Sequence, residues 1–157
     1  MKLYRLTKFK YSRDLSGKGA EIGGGRWNSK GTSMLYTSQS IALATTEIAV
    51  HVPLGILSKG YVVITFEVPD QTITEELQEN KLPPDWKSVP HSHSTQMIGD
   101  EFISSKRALI LKVSSVVVQG DFNYLINPNS QDIKKVSITT IERYEFDERL
   151  FFRQATI

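Results

Sequence analysis

The segment Gly60–Pro69 reads GYVVITFEVP. Its β-branched and aromatic side chains fit a pleated, half-buried surface, which makes it the clearest strand in the chain. Around it the apolar runs are short. Lys2–Leu6 alternates, with Leu3 and Arg5 on one face and Tyr4 and Leu6 on the other. Ser33–Thr37 (SMLYT), Ala108–Val113 (ALILKV), Val116–Gln119 and Asp121–Asn127 (DFNYLIN) read as further strands. Ser114–Ser115 is the joint between two of them, and Asn127–Pro128 is a turn signal. Ile133–Ile138 alternates, and Tyr144–Phe152 supplies a last strand.

Helices are fewer. Ser38 or Ser40 can cap one, because a side-chain oxygen accepts from a free N–H of the first turn. Its buried stripe is Ile41, Ala44 or Thr45, Ile48 and Val52, and Pro53 and Gly55 end it. Glu47 is offset from that stripe, beside Leu43 and His51. A second helix spans Thr95–Ser105, with Met97, Ile98, Phe102 and Ile103 at helical spacing and Gly99 as a modest weakness. Phe9–Ile22 reads as a loop, Asp70–Asn80 as a polar turn, and Lys81–Pro90 has three prolines and no regular element. Short strands outnumber helices. The pattern predicts one α+β domain over residues 1–157, with a twisted, mostly antiparallel sheet wrapped by a few helices.

Several function classes fall away on composition. A net charge of 19 − 17 = +2 is too weak to argue for direct nucleic-acid binding. With no cysteine there is no disulfide framework and no thiol nucleophile. No apolar run is long enough for a signal peptide or a membrane span, so the reading is a soluble cytoplasmic protein without a membrane partner. His91 and His93 have no third ligand nearby in sequence, so they read as a surface loop and no metal site is expected. There is no G-x-S-x-G nucleophile elbow, no Rossmann glycine fingerprint and no Walker order.

What remains is the stretch Gly23–Glu47, GGGRWNSKGTSMLYTSQSIALATTE. Three consecutive glycines are tolerated where the backbone needs φ > 0 or close approach. Arg26 and Trp27 follow at once, which puts a cation and a flat ring on that loop. Tyr36 lies 36 − 26 = 10 residues on, and Glu47 another 47 − 36 = 11. An Arg beside a glycine-rich loop can grip a phosphate or pyrophosphate. An aromatic ring can stack on a heterocycle. A lone carboxylate can hold ribose hydroxyls and stabilise a cationic sugar as its base departs. Together these suit NAD, consumed as a substrate and not carried as a cofactor. The rival class is a binding module in which the basic residues Lys8, Lys10, Arg13 and Lys18, with Phe9, Trp27 and Tyr36, stack single-stranded RNA.

The run GGGRWNSKG…LYTSQSIALATTE resembles the signature of the RES domain, a family named for an Arg, a Glu and a Ser, and the likeness extends from Leu3–Arg5 to Asn127–Pro128. Two positions differ from the family pattern, Ser114 in place of a Pro and Asn129–Ser130 in place of a His-Pro. The resemblance implies a fold similar to ADP-ribosyltransferase toxins. It implies the toxin half of a bacterial toxin–antitoxin pair, with a helix-turn-helix antitoxin covering the site. Members cleave the nicotinamide–ribose bond of NAD by hydrolysis or phosphorolysis, or transfer ADP-ribose to a protein, so inorganic phosphate is a further expected ligand. By this resemblance Arg26, Tyr36 and Glu47 are catalytic, while Gly25, Trp27, Asn28, Ser115 and Asn127 contact the substrate.

Overall fold

The computed structural model describes residues 1–53 and 59–152. In chain order the elements are β1 (Lys2–Lys8), α1 (Lys18–Gly23), β2 (Leu35–Ser38), α2 (Ile41–Ala49), β3 (Tyr61–Glu67), β4 (Thr74–Glu76), α3 (His93–Ser105), β5 (Ile110–Ser114), β6 (Phe122–Ile126) and β7 (Ser137–Tyr144), with short 3-10 turns between them. The seven strands of the described residues form one sheet in the order β4-β5-β6-β2-β1-β3-β7. Every neighbouring pair is antiparallel except β4 with β5. No helix among the described residues is long and apolar enough to cross a membrane.

Strand alternation divides the core by sheet face. On one face Leu3, Leu35, Val62, Ile64, Phe66, Ile110 and Ile126 form a continuous apolar cluster. The other face carries two clusters. Trp27, Met34, Phe102, Ile103, Leu111, Val113 and Leu125 make one, beneath α3. Leu6, Ala44, Val63, Phe146 and Phe151 make the second, beneath α2. On β2 and β6, Tyr36 pairs with Leu125 and Ser38 with Asn123, while Tyr4 of β1 also pairs with Ser38. Register partners share a face. Polar Ser38 and Asn123 therefore stand on the two-cluster face, next along their strands from Tyr36 and Leu125.

The structure corrects several expectations. The Phe9–Ile22 loop contains a 3-10 turn at Phe9–Tyr11 and the helix α1. Val116–Gln119 is a turn, not a strand, because the chain reverses there to pair β6 with β5. Ile133–Ile138 straddles a 3-10 turn and the start of β7, the last strand among the described residues; of Tyr144–Phe152 only Tyr144, which ends β7, is in the sheet, and Glu148–Leu150 is a 3-10 turn. Of the two candidate caps, Ser40 is the one used: its Oγ accepts from Leu43 N at 3.1 Å. The buried face of α2 is Leu43, Ala44 and Thr45; Ile41 is exposed, and the helix stops at Ala49, before Pro53. Gly55 lies outside the described residues.

Gly99 of α3 has a reason the sequence did not disclose. A Cβ there would lie 1.6 Å from the carbonyl oxygen of Trp27. The helix backbone rests directly on the loop that carries Arg26, and only glycine permits that approach.

Candidate active site

The loop after α1 turns back on itself between Gly25 and Asn28, with Gly25 N donating to Asn28 O at 2.9 Å. Asn28 is the centre of this turn and is fully buried. Its Nδ2 donates to the carbonyls of Ala20 (2.8 Å), Thr32 (2.9 Å) and Ser29 (3.2 Å), and its Oδ1 accepts from Tyr36 Oη at 2.7 Å. Leaving such a buried amide unpaired costs about 1–3 kcal/mol, so these partners lock the loop shape. From α3, Gln96 Nε2 donates to the carbonyls of Gly25 (3.1 Å) and Asn28 (3.2 Å), and Asp100 Oδ1 accepts from Ser29 N at 2.9 Å. A Cβ on Gly25 would sit 2.7 Å from Tyr36 Oη, so glycine lets the phenol reach the turn.

Arg26 projects from this braced turn. Its Nη1 donates to the carbonyls of Trp86 (2.7 Å) and Ser88 (3.0 Å). Among the described residues Nε and Nη2 have no partner, so part of the planar fork is open to a ligand. Desolvation lowers the affinity of this guanidinium for its proton, and the charge of Glu47 acts in the opposite direction. The arginine remains a cation, and the coupling shows that Glu47 stands within electrostatic reach of it.

Tyr36 is partly buried on β2. Its hydroxyl accepts from Trp27 N at 3.1 Å while donating to Asn28. Burial pushes the phenol well above its usual range; Asp100 adds to this, while the Trp27 N–H and Arg26 oppose it. The side chain is a neutral phenol whose proton is committed to Asn28. What it can offer a ligand is its ring, not a base.

Glu47 lies on α2 with its carboxylate held from one side. Oε1 accepts from Ser115 Oγ at 2.9 Å and from Asn123 Nδ2 at 2.6 Å. Oε2 accepts no hydrogen bond among the described residues. Ser115, in turn, accepts from Val117 N (3.1 Å) and Val118 N (3.0 Å) and so folds the β5–β6 turn around the same hydroxyl.

The structure thus ties Ser115 and Asn123 to Glu47 by hydrogen bonds, ties Tyr36 to the turn that carries Arg26, and sets Glu47 near enough to Arg26 to act on its proton affinity. Other residues named from the sequence have buried side chains engaged with the protein itself. Trp27, read as a flat ring presented on the loop, is 3% exposed and packs in the cluster beneath α3. Asn28, read as a substrate contact, has its amide consumed by the loop. Asn127 is fully buried at the far end of β6, donating to Ile103 O at 3.0 Å and accepting from Asn129 N at 2.9 Å. Four strand residues at about 3.3 Å each put it some 13 Å along from Asn123. Gln96 and Asn123 carry no motif and were missed; the one signal was a polar Asn inside the strand pattern of DFNYLIN. Among the described residues no cluster of three or more His, Cys, Asp or Glu is placed to hold a metal.

The family described as the RES domain matches residues 2–147. A protein of Photorhabdus laumondii named Toxin Res is 35% identical over 153 residues, covering 96% of this chain and 97% of its own. A protein of Sphingobium sp. (strain YBL2) named Prs ADP-ribosylating toxin is 35% identical over 139 residues, 87% of this chain and 86% of its own. Among solved structures, a chain of the M. tuberculosis MbcT–MbcA toxin–antitoxin complex superposes with a TM-score of 0.63 at 17% identity, covering 96% of this chain and 86% of that one, which shows a shared fold. The match spans α1, the glycine turn, α2, and the β5–β6 turn and β6 that hold Glu47, and the chain belongs to the RES domain family.

Proposed function

We propose that this protein is the toxin of a toxin–antitoxin pair and that it destroys NAD by breaking the nicotinamide–ribose bond. The observation that carries the reading is the half-engaged carboxylate of Glu47. Two donors fix Oε1, and Oε2 is left without a partner among the described residues. That is the arrangement a ribose needs: a negative, oriented oxygen that accepts from a ribose hydroxyl and strengthens its hold as the sugar becomes cationic. The names of both relatives carry the word toxin and support the biological role.

In this mechanism the open nitrogens of Arg26 bind pyrophosphate oxygens, and the ring of Tyr36 packs against the nicotinamide. The bond between the ribosyl anomeric carbon and the nicotinamide nitrogen breaks. Its electron pair goes to the ring nitrogen, so neutral nicotinamide leaves and an oxocarbenium-like ribosyl centre remains beside Glu47. Water or inorganic phosphate attacks that carbon; attack by water releases a proton, and free ADP-ribose or its 1-phosphate results. Ser115 acts through Glu47, because its hydroxyl is already fully used by the carboxylate and the turn.

A second reading is transfer of ADP-ribose to a protein side chain, favoured by the Sphingobium relative's name. Incubation with NAD, with and without phosphate, followed by mass analysis of small-molecule products and of added protein, separates the two. Loss of NAD with free ADP-ribose or its phosphate supports the first reading. NAD stable in every arm rejects both. The partner that completes the proposal is an antitoxin with a helix-turn-helix domain that closes this site, a role supported by the toxin–antitoxin assembly of the structural neighbour.

A further inference from the structure

We propose that Asn123 is a positioning residue for Glu47, and that Ser38 sets which way its amide points. The inference rests on the reading that Glu47 acts at the ribose. Ser38 on β2 and Asn123 on β6 are direct register partners, so their short side chains meet across the strands. Ser38 Oγ donates to Asn123 Oδ1 at 2.8 Å, and Asn123 Nδ2 donates to Glu47 Oε1 at 2.6 Å. The chemistry leaves one orientation. An ionised carboxylate only accepts, so the amide must turn its nitrogen to Glu47 and its oxygen to Ser38. The reversed amide would place two acceptors against each other at 2.6 Å.

The consequence is selective. Ser115 and Asn123 approach the same carboxylate oxygen from the β5–β6 turn and from β6, two elements already tied together by the hairpin. They pin the carboxylate plane and leave Oε2 as the free oxygen. A glutamate on a helix surface otherwise samples many rotamers, and misplacement by about an ångström can cost on the order of 10²-fold in rate. The sheet, not the helix that bears Glu47, therefore decides where the catalytic oxygen stands.

The test compares wild type, Asn123→Ala, Asn123→Asp and Ser38→Ala, with NAD as the probe. Expected for Asn123→Ala is a fall in kcat of roughly tenfold or more, below the ~10²–10³ of a group that contacts the transition state directly, with KM for NAD within about threefold of wild type. Asn123→Asp should fall further, because two carboxylates then face each other. Ser38→Ala should lose less than Asn123→Ala, since the amide is freed but still present. A crystal structure of Asn123→Ala should show the Glu47 carboxylate turned from its wild-type position. Wild-type kcat in Asn123→Ala and Asn123→Asp, or a change in KM alone, overturns the proposal. Should Asn123→Ala fail to fold, Ser38→Ala decides: kcat reduced at unchanged melting temperature supports it, kcat unchanged overturns it. If wild type leaves NAD intact, the reading of the site falls, and the crystal structure still judges this inference: Glu47 in its original place in Asn123→Ala overturns it, and Glu47 displaced supports it.

Discussion

Ser115 Oγ donates to Glu47 Oε1 at 2.9 Å, joining the β5–β6 turn to α2 across 68 residues of chain. The same oxygen accepts from two backbone N–H groups of its own turn. Turn shape and carboxylate position are thus one unit. Ser115→Ala removes a donor from Glu47 and strands both N–H groups. We expect a loss of about 1–3 kcal/mol in stability together with a fall in kcat, measured by thermal melting and by NAD turnover on the same preparation. A variant that loses neither would separate Ser115 from both the turn and the site.

Glu47→Gln should fold as wild type and keep most of its affinity for NAD. The amide oxygen can still accept from Ser115 and Asn123, but the negative charge is gone. The charge matters most once the sugar is cationic, so turnover should fall by roughly 10²–10³. Calorimetry with NAD and single-turnover kinetics check the two halves. Unchanged turnover in the folded variant would remove Glu47 from the chemistry.

Arg26→Lys should not restore function. A lysine keeps the charge but has one nitrogen, which cannot serve the carbonyls of Trp86 and Ser88 and also grip two ligand oxygens in a plane. KM for NAD should rise at least tenfold. A wild-type KM would exclude a bidentate role.

Tyr36 predicts a pH effect. Its folded phenol holds its proton above the usual range because the ring is desolvated. The unfolded chain loses the proton first, near pH 10, so the contribution to stability is complete below about pH 10 and is lost as pH rises beyond it. Tyr36→Phe should be less stable at neutral pH, from the lost bonds to Asn28 and Trp27, and should lose less stability than wild type between pH 9 and 11, ranges set by the ordinary phenol value of about 10. Denaturant unfolding across that range tests it, and parallel curves for the two proteins would reject the assignment.

An enzyme that consumes NAD should arrest the cell that makes it unless a partner blocks the site. Induced alone, this chain should stop growth and deplete NAD; the Glu47→Gln form, and the chain expressed with its genomic neighbour, should not. Lys10 and Arg13 are exposed and form no ion pair among the described residues, Lys10 lying over the Tyr11 ring, whereas the exposed Lys18 is paired with Glu21 and Lys8 donates to Lys59 O and lies over the Tyr61 ring. Acidic antitoxin residues should therefore meet Lys10 and Arg13, and the association rate should fall with added salt. Equal growth in all three cultures, with soluble protein and unchanged NAD, would reject the toxin reading.

Much of the fold was legible because it depends on local pattern. The strand at Gly60–Pro69, the cap at Ser40 and the α3 stripe containing Phe102 and Ile103 follow from propensity and period, and those act over a few residues. Arg26, Tyr36 and Glu47 stand out in the sequence because a cation, a ring and a carboxylate on one short stretch limit the chemistry to expect there. Periodicity could not tell a strand from a turn in Val116–Gln119, since three valines suit either a buried strand or a tight reversal.

The roles of the supporting residues belong to the tertiary structure alone. Trp27 looked like a binding surface because it follows an arginine on a glycine loop; α3 packs over that loop through Gly99 and buries the ring. Asn28 and Asn123 are the same residue type on two segments, yet one locks a turn and the other holds a carboxylate. What separates them is which groups the fold brings within about 3 Å: loop carbonyls and the Tyr36 hydroxyl for Asn28, and Glu47 of α2, 76 residues away in sequence, for Asn123. A side-chain amide can donate and accept, so its partners, not its identity, decide what it does. The residue types alone limited the chemistry to expect at this site; the packing of α2 against the β5–β6 turn and β6 decided which oxygen of Glu47 Ser115 and Asn123 hold.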